Sequence, residues 1–152
     1  MPAILLQVNV SAGGMPKLPL TSARVMFTGV EGDRQKNLEY HSGRDRAVCL
    51  YSEELYERFR AEGIDIYPGA IGENFTTRGL DLQSLQPGDR LAVGDCVIAI
   101  SKVRVPCKQL NIWHPEFHKK IEGRSGWLAR VLKEGTVRPG DSILHLPVQA
   151  AT

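Results

Sequence analysis

The sequence has few cysteines, and the three it has lack any pairing pattern. Cys49, Cys96 and Cys107 form no C-x-x-C pair and no even set. Zinc knuckles need closely spaced cysteine pairs, and small secreted domains are built on even numbers of disulfide-bonded cysteines. The sequence therefore favours neither class, and we expect free thiols in a reducing compartment.

A strong charge of one sign and long hydrophobic runs are also missing. The 19 Lys and Arg residues against 17 Asp and Glu residues give a formal net charge of +2. A broad nucleic-acid footprint would need these basic residues to converge in the fold. No stretch approaches the roughly 18 apolar residues of a transmembrane helix, and no basic segment precedes the first apolar run. We therefore expect a cytoplasmic protein with no nucleic-acid or membrane partner.

Several motifs of nucleotide-binding proteins and hydrolases are absent. A glycine-rich run at 11–17 ends in Lys17, but its spacing is not that of a phosphate-binding P-loop. The chain has no G-x-S-x-G motif and no dinucleotide-binding fingerprint, so an α/β-hydrolase is not supported. The run at 11–17 is either a candidate anion site, with Lys17 supplying charge, or an ordinary flexible loop.

Short apolar runs separated by glycine and proline dominate the chain, which is typical of strands and turns. Six runs are predicted strands: 3–10, 23–27, 47–51, 91–93, 96–101 and 142–146. The dipeptide Gly94-Asp95 between two of them is typical of a two-residue hairpin turn. The sequence therefore predicts a mainly β fold, a closed or partly closed antiparallel β-barrel with a few short helices.

Serines mark the starts of two predicted helices. Ser52 is suited to cap a helix over 53–62, and Ser125 is suited to cap a second helix over 126–134. A shorter helix is expected within 108–121.

No repeat, linker or low-complexity segment divides the chain, and 152 residues suit one core. We expect a single domain over 1–152, with its core at about 8–146 and a loose tail at 147–152.

The cysteine at position 107 lies among basic residues directly after a proline. Pro106 cannot extend a sheet ladder, so the preceding strand should end there and direct the next side chain out of the sheet. Lys102, Arg104 and Lys108 would stabilise negative charge on the sulfur, and a thiolate is both a nucleophile and a soft-metal ligand. The alternative is that Cys107 is a small buried hydrophobe.

Two polar segments, 32–35 and 41–46, precede a predicted strand and contain almost no apolar residues. Arginines such as Arg34 and Arg46 can hold a phosphate through two hydrogen bonds, and His41 can exchange a proton near neutral pH. The alternative is a solvated loop whose charges pair with one another.

Two further groups of polar residues are weaker candidates. Glu73 and Asn74 follow a flexible turn and could contact the edge of a heterocyclic ligand, or could serve the turn alone. His114 and His118 have the i, i+4 spacing that can bind a metal on a helix, but no third ligand is evident, and we interpret them as a surface pair.

Taken together, several short motifs resemble, in this order, the MOSC domain, which is named after the C-terminus of molybdenum cofactor sulfurase. They are Gly32-Asp33-Arg34, His41-Ser42-Gly43, Arg46-Ala47-Val48, Gly72-Glu73-Asn74-Phe75, Pro87-Gly88-Asp89 and Arg104-Val105-Pro106-Cys107. The resemblance spans roughly 8–146. The later segments 123–127 and 131–135 are similar to the bacterial single-chain branch related to hydroxylaminopurine reductases.

The resemblance implies a pterin-based molybdenum cofactor (molybdopterin) with Cys107 as the protein thiolate ligand to molybdenum. It also implies a group of residues that bind the phosphate and pterin of this cofactor: Lys17, Arg34, Arg46 and Arg104. Glu73 and Asn74 would position the ring or support the loops, and His41 would transfer a proton. Pyridoxal phosphate is not expected, because it belongs to the separate desulfurase part of the sulfurases.

Three functions fit this resemblance. The first is a molybdenum-dependent oxidoreductase that removes oxygen from an N-hydroxylated small molecule, using an external electron-donor protein. The second is a sulfur carrier in which Cys107 bears a persulfide received from a desulfurase partner. The third is a carrier that binds the cofactor without turnover.

Overall fold

A computed structural model describes residues 2–33 and 44–148 of the chain. Within these residues the strands are β1 Ile4–Val10, β2 Leu18–Leu20, β3 Ala23–Met26, β4 Gly29–Val30, β5 Val48–Ser52, β6 Phe75–Arg78, β7 Arg90–Val93, β8 Cys96–Val103, β9 Trp127–Lys133, β10 Gly135–Val137 and β11 Ile143–Leu146. The α-helices of the same part are α1 Glu53–Ala61 and α2 Phe117–Lys120, and 3₁₀ turns cover Arg44–Arg46, Leu82–Ser84 and Lys108–Ile112.

The strands form an eight-stranded sheet in the order β11-β7-β8-β9-β5-β6-β1-β2 and a three-stranded sheet in the order β10-β3-β4. The predicted mainly β class with a few short helices is therefore confirmed. Strands β2 and β11 stand at the two ends of the larger sheet, and closure into a barrel stays a prediction.

The antiparallel prediction is wrong for one strand pair, because β5 and β6 run parallel. A parallel pair needs a crossover connection. Helix α1 and the loop after it supply that connection, since they leave the end of β5 and return the chain to the start of β6.

Local signals in the sequence account for the turn and helix that flank the sheet centre. Val93 and Cys96 pair across the predicted Gly94-Asp95 hairpin. The Ser52 hydroxyl accepts a hydrogen bond from the Leu55 amide at 3.2 Å and caps α1. The predicted helix over 53–62 is thus confirmed, with Ala61 as its last residue.

The predicted helix over 126–134 is wrong, because this segment is strand β9. Its residues alternate between buried and exposed from Ala129 to Leu132, and β9 pairs with both β5 and β8. Ser125 does not cap a helix, because its hydroxyl donates to the Arg104 carbonyl at 2.5 Å. Pairing with two distant strands therefore decides the conformation.

The long connection from β8 to β9 packs on α1 and brings Cys107 to the sheet. Phe117 of α2 lies edge-on to Phe59 of α1, with ring centroids 5.0 Å apart, and Leu110 is fully buried. The short helix expected within 108–121 is confirmed as the 3₁₀ turn at Lys108–Ile112 and helix α2.

The described helices are all too short or too polar to cross a membrane. Of the predicted loose tail at 147–152, residues 149–152 lie outside the described residues.

Candidate functional site

A pocket of about 130 Å³ opens where the β8–β9 connection meets β5 and the loops after β1 and α1. Three cationic residues, Lys17, Arg46 and Arg104, line it together with two thiols, Cys49 and Cys107. The remaining lining residues are Gly14, Met15, Ile71, Gly72, Asn74, Val105, Gln109 and Leu128. The glycine-rich run at 11–17 is therefore part of this pocket.

The end of β8 places Cys107 at the pocket. The strand ends at Val103, as the following Pro106 predicts, and Cys107 then precedes the 3₁₀ turn at Lys108–Ile112 with extended backbone angles. Its carbonyl accepts a hydrogen bond from the Leu110 amide at 3.1 Å, and Leu110 is buried in the core. The turn therefore fixes the backbone of Cys107 and leaves the residue half-buried in the lining.

Within the described part of the chain, the Arg104 guanidinium has a hydrogen-bond donor without an acceptor. The backbone of Arg104 is fixed on both sides, because the Arg104 amide donates to the Gly126 carbonyl at 3.1 Å and the Arg104 carbonyl accepts a hydrogen bond from the Ser125 hydroxyl. Its Nη1 atom is buried and has no hydrogen-bond partner among the residues that the structure describes. Leaving a buried charged donor unpaired costs free energy, so this atom is suited to an anion that enters the pocket.

Lys17 is held by a buried carboxylate. Its Nζ lies 2.7 Å from Oδ2 of Asp33, and the side chains are only 10% and 5% exposed. The same Asp33 carboxylate accepts hydrogen bonds from Asn74 Nδ2 at 2.9 Å and from the Ser11 amide at 3.0 Å. Asp33 therefore joins the loop after β1 to the start of β6 and fixes the lysine against the pocket.

Asn74 has its side-chain amide fully engaged in the protein. Its Nδ2 donates to Asp33 and to the Asn9 carbonyl, and its Oδ1 accepts from the Cys49 amide at 3.0 Å. An amide group has two donor hydrogens and an oxygen acceptor. Asn74 therefore lines the pocket while its polar atoms hold three surrounding segments together.

Glu73 is fully buried and is not among the residues that line the pocket. Its carboxylate accepts hydrogen bonds from Tyr56 at 2.7 Å, from the Gly69 amide at 3.0 Å and from Thr76 at 2.8 Å. Burial raises the pKa of the Glu73 carboxyl, and these hydrogen bonds act in the opposite direction. Burial also raises the pKa of Tyr56. Glu73 thus secures the loop that carries Ile71 and Gly72 into the pocket lining.

Cys49 is a pocket residue that the sequence analysis missed. It belongs to the apolar strand β5, so its pattern predicts a core residue, and it is 8% exposed. Burial raises the pKa of its thiol, while Arg104 and Lys17 lower it. Only the pairing of β5 with its neighbours reveals that this thiol and Cys107 share one pocket.

The cations that line the pocket of Cys107 differ in part from those that the sequence predicts around it. Lys102 and Lys108 are exposed and do not line the pocket, whereas Lys17 and Arg46 join Arg104 there from distant parts of the chain. Strand order brings them together, which no local pattern could indicate.

The remaining predicted residues are either outside the described residues or absent from the pocket lining. Arg34 and His41 are outside the described residues. His118 contacts Asn111 through Nδ1 at 2.9 Å, and His114 contacts the Pro115 carbonyl. The described ranges contain no group of three His, Cys, Asp or Glu residues able to hold a metal ion.

The fold and the pocket define a small, mainly β domain with two thiols and three cationic residues around one cavity. The family model of the MOSC domain matches residues 37–144. The chain belongs to the MOSC domain family, and the resemblance predicted from the ordered motifs is confirmed.

Individual relatives agree with this assignment. The uncharacterized protein YflK of Bacillus subtilis is 35% identical over 138 residues, which cover 86% of this chain and 62% of YflK. A protein of Gibberella moniliformis named reductase is 38% identical over 125 residues, which cover 76% of this chain and 22% of that protein. The chain therefore spans less than two thirds of the length of these two relatives.

A solved structure supports the fold. The crystal structure of YiiM from Geobacillus stearothermophilus matches with a TM-score of 0.80 at 28% identity, covering 95% of this chain and 75% of that chain.

Proposed function

We propose that this domain binds a molybdenum cofactor in the pocket, with Cys107 as a ligand to the metal, and that it reduces N-hydroxylated small molecules. The observation that carries the proposal is the buried Nη1 of Arg104, which has no hydrogen-bond partner among the described residues, in a pocket that also holds a half-buried thiol. Membership of the MOSC family and the similarity to a protein named reductase support it.

The pocket residues fit the chemical groups of such a cofactor. A thiolate is a suitable donor for a soft metal centre, and Cys107 offers one at the pocket. A guanidinium binds phosphate oxygens through parallel N–H donors, and Arg104 and Arg46 both line the pocket. Met15 and Leu128 add apolar surface for a ring. We propose the same phosphate-binding role for Arg34.

A bound molybdenum cofactor supplies the two-electron chemistry that reduces an N–O bond. The residues of the chain bind and orient it. Arg104 neutralises negative charge inside the pocket, and Asp33 keeps the Lys17 ammonium beside the same space. Asn74 and Glu73 hold the loops that shape the lining, and we propose that His41 transfers a proton to the departing oxygen.

We also propose that the larger sheet closes on itself as a barrel, in a cytoplasmic protein. Backbone hydrogen bonds between residues 3–5 and residues 140–143 support closure, because β1 and β11 lie near opposite ends of the strand order. The Leu5 amide donates to Asp141 at 2.8 Å, the Gly140 amide donates to Leu5 at 2.7 Å and the Ile143 amide donates to Ala3 at 2.9 Å.

Metal analysis and turnover test the function. The protein should be produced in a host that makes the cofactor, its molybdenum content measured, and benzamidoxime reduction assayed with an artificial reductant. We expect about one molybdenum per chain, with loss of metal and turnover in Cys107→Ser. The matched control is Cys96→Ser, because Cys96 is buried at the start of β8 and does not line the pocket.

Two outcomes would contradict the reductase. Cofactor bound without benzamidoxime reduction would indicate a cofactor carrier. Metal-free protein in which Cys107 gains about 32 Da, one sulfur atom, from a cysteine desulfurase would indicate a sulfur carrier. Either outcome would favour one of the two alternative functions, cofactor carrier or sulfur carrier, over a reductase.

A further inference from the structure

Positive charge is concentrated in one short segment of this chain. Residues 102–120 contain five Lys and Arg side chains and a single carboxylate, that of Glu116. The rest of the chain contains fourteen basic and sixteen acidic residues, so its formal charge is −2 while the segment carries +4. The slightly basic net charge of the protein therefore arises from the segment that carries Cys107.

The same segment exposes large aliphatic side chains. Val103 is 51% exposed, Val105 is 82% exposed and Ile112 is 65% exposed. Leu110 and Phe117 of this segment are fully buried, so the backbone is anchored while these three side chains face solvent. Three exposed aliphatic side chains within ten residues make this segment a candidate interaction surface.

This surface lies at the mouth of the pocket. Val105 belongs to the pocket lining although most of its side chain is exposed. Lys102 is the register partner of Leu128, which also lines the pocket. Lys108 directly follows Cys107, which lines the pocket.

The basic residues beside these aliphatic side chains differ in whether the described part of the chain neutralises them. Lys119 pairs with Glu116 at 2.9 Å. Lys102 and Lys108 are exposed and form no ion pair with any residue of the described ranges. Exposed, unpaired charges attract an oppositely charged protein, and the neighbouring aliphatic side chains can then form the contact that excludes water.

We propose that an acidic electron-donor protein docks over the pocket on a surface that we call the rim surface. It consists of Lys102, Val103, Lys108 and Ile112. This proposal rests on the proposed function, because reduction of R–NHOH to R–NH₂ and water consumes two electrons and two protons. The electrons come from the donor protein and the protons from solvent. A nucleic acid is a poorer occupant, because the exposed apolar side chains are aliphatic and offer no ring for base stacking.

The test compares two reductants on the cofactor-loaded protein. Reduced methyl viologen reaches the site without docking, whereas reduced flavodoxin, an acidic flavoprotein, must bind the surface first. For Lys102→Glu/Lys108→Glu we expect unchanged turnover with methyl viologen and a KM for flavodoxin raised at least about tenfold. Raising salt from about 0.02 to 0.2 M should weaken flavodoxin binding to the wild type much more than to this variant.

A matched control changes the same amount of charge away from the pocket. Lys133→Glu/Arg138→Glu alters two exposed cations, and Lys133 lies about 17 Å further along β9 than Leu128 at the usual strand rise. We expect its KM for flavodoxin to stay within about twofold of wild type. An equal rise in both double variants would overturn the proposal, since it would reflect net charge alone.

Other results also decide between explanations. An unchanged KM for flavodoxin in Lys102→Glu/Lys108→Glu, or an equal loss with both reductants, would overturn docking at the rim surface. If wild type shows no turnover even with methyl viologen, the proposed function fails. Calorimetric titration of flavodoxin into wild type and variant then still tests docking, which is supported only if the variant binds at least about tenfold more weakly.

Discussion

Replacing Arg104 by methionine should have opposite effects on stability and on anion binding. The Arg104→Met change removes the buried Nη1 that has no hydrogen-bond partner among the described residues. It keeps an unbranched side chain of similar length, so the apolar stem of the residue is largely preserved. Most point substitutions destabilise a protein, which makes the predicted gain in stability a demanding test.

The magnitude follows from the desolvation of the guanidinium. An unsatisfied buried donor costs about 1–3 kcal/mol, and more when it is charged. Losing the remaining contacts of the side chain offsets part of this, so we expect the free energy of unfolding of the ligand-free protein to rise by about 1–2 kcal/mol. A charge-assisted hydrogen bond contributes about 1.5–3 kcal/mol, which corresponds to about 10- to 150-fold weaker binding of a phosphate-bearing ligand.

Urea unfolding of ligand-free protein and calorimetric titration with inorganic pyrophosphate measure the two effects. Arg90→Met is the control, because Arg90 is exposed on β7 and does not line the pocket. It should change stability by less than about 0.5 kcal/mol and leave pyrophosphate binding unaltered. A loss of more than about 1 kcal/mol in Arg104→Met, or unchanged pyrophosphate affinity, would refute the reasoning.

Three further predictions concern the stability of the fold, and urea unfolding checks each. The pKa of Glu73 is raised by burial, so the stability gained from its protonated form is present below about pH 4.5 and lost as pH rises through the folded pKa. Wild type should therefore lose stability relative to Glu73→Gln between acid and neutral pH, and parallel pH profiles would contradict this. The pKa of Asp89 is lowered by hydrogen bonds from the Val148 amide and from His145, so the stability that Asp89 contributes is present above its ordinary pKa of 3.8 and lost as pH falls below it. Asp89→Asn should therefore reduce the loss of unfolding free energy at acid pH. If this loss is the same in the variant as in wild type, Asp89 is not its source. Gly126→Ala should lower the free energy of unfolding by about 2–4 kcal/mol. The reason is that Gly126 has φ +90° and a β-carbon there would lie 2.3 Å from the Leu50 carbonyl oxygen. A decrease of less than about 1 kcal/mol would argue against that backbone geometry.

The elements that depend on local interactions could be predicted from the sequence. The cap of α1 at Ser52 involves residues three apart, and the Gly94-Asp95 hairpin joins adjacent strands. The end of β8 before Pro106 follows from the missing backbone donor of proline. Each of these features is decided within a few residues of the chain, so a local pattern was sufficient.

The elements that depend on distant partners could not be predicted in this way. The segment Trp127–Lys133 begins after a serine and a glycine, which also suits a helix, but pairing with β5 and β8 makes it a strand. Cys49 lies in an apolar run typical of a core strand, yet it reaches the pocket because β5 is next to β9. Neither outcome is visible until the strand order is known.

The motif residues also divide into two roles that only their hydrogen bonds reveal. Asn74 and Glu73 have their polar atoms engaged by the protein itself, and Lys17 is paired with Asp33. An anion that recruited Lys17 would have to compete with a buried carboxylate, whereas an anion at Nη1 of Arg104 would break no hydrogen bond that this atom forms within residues 2–33 and 44–148. The favourable free energy of anion binding should therefore be concentrated at Arg104, while its motif neighbours fix the shape of the pocket around it.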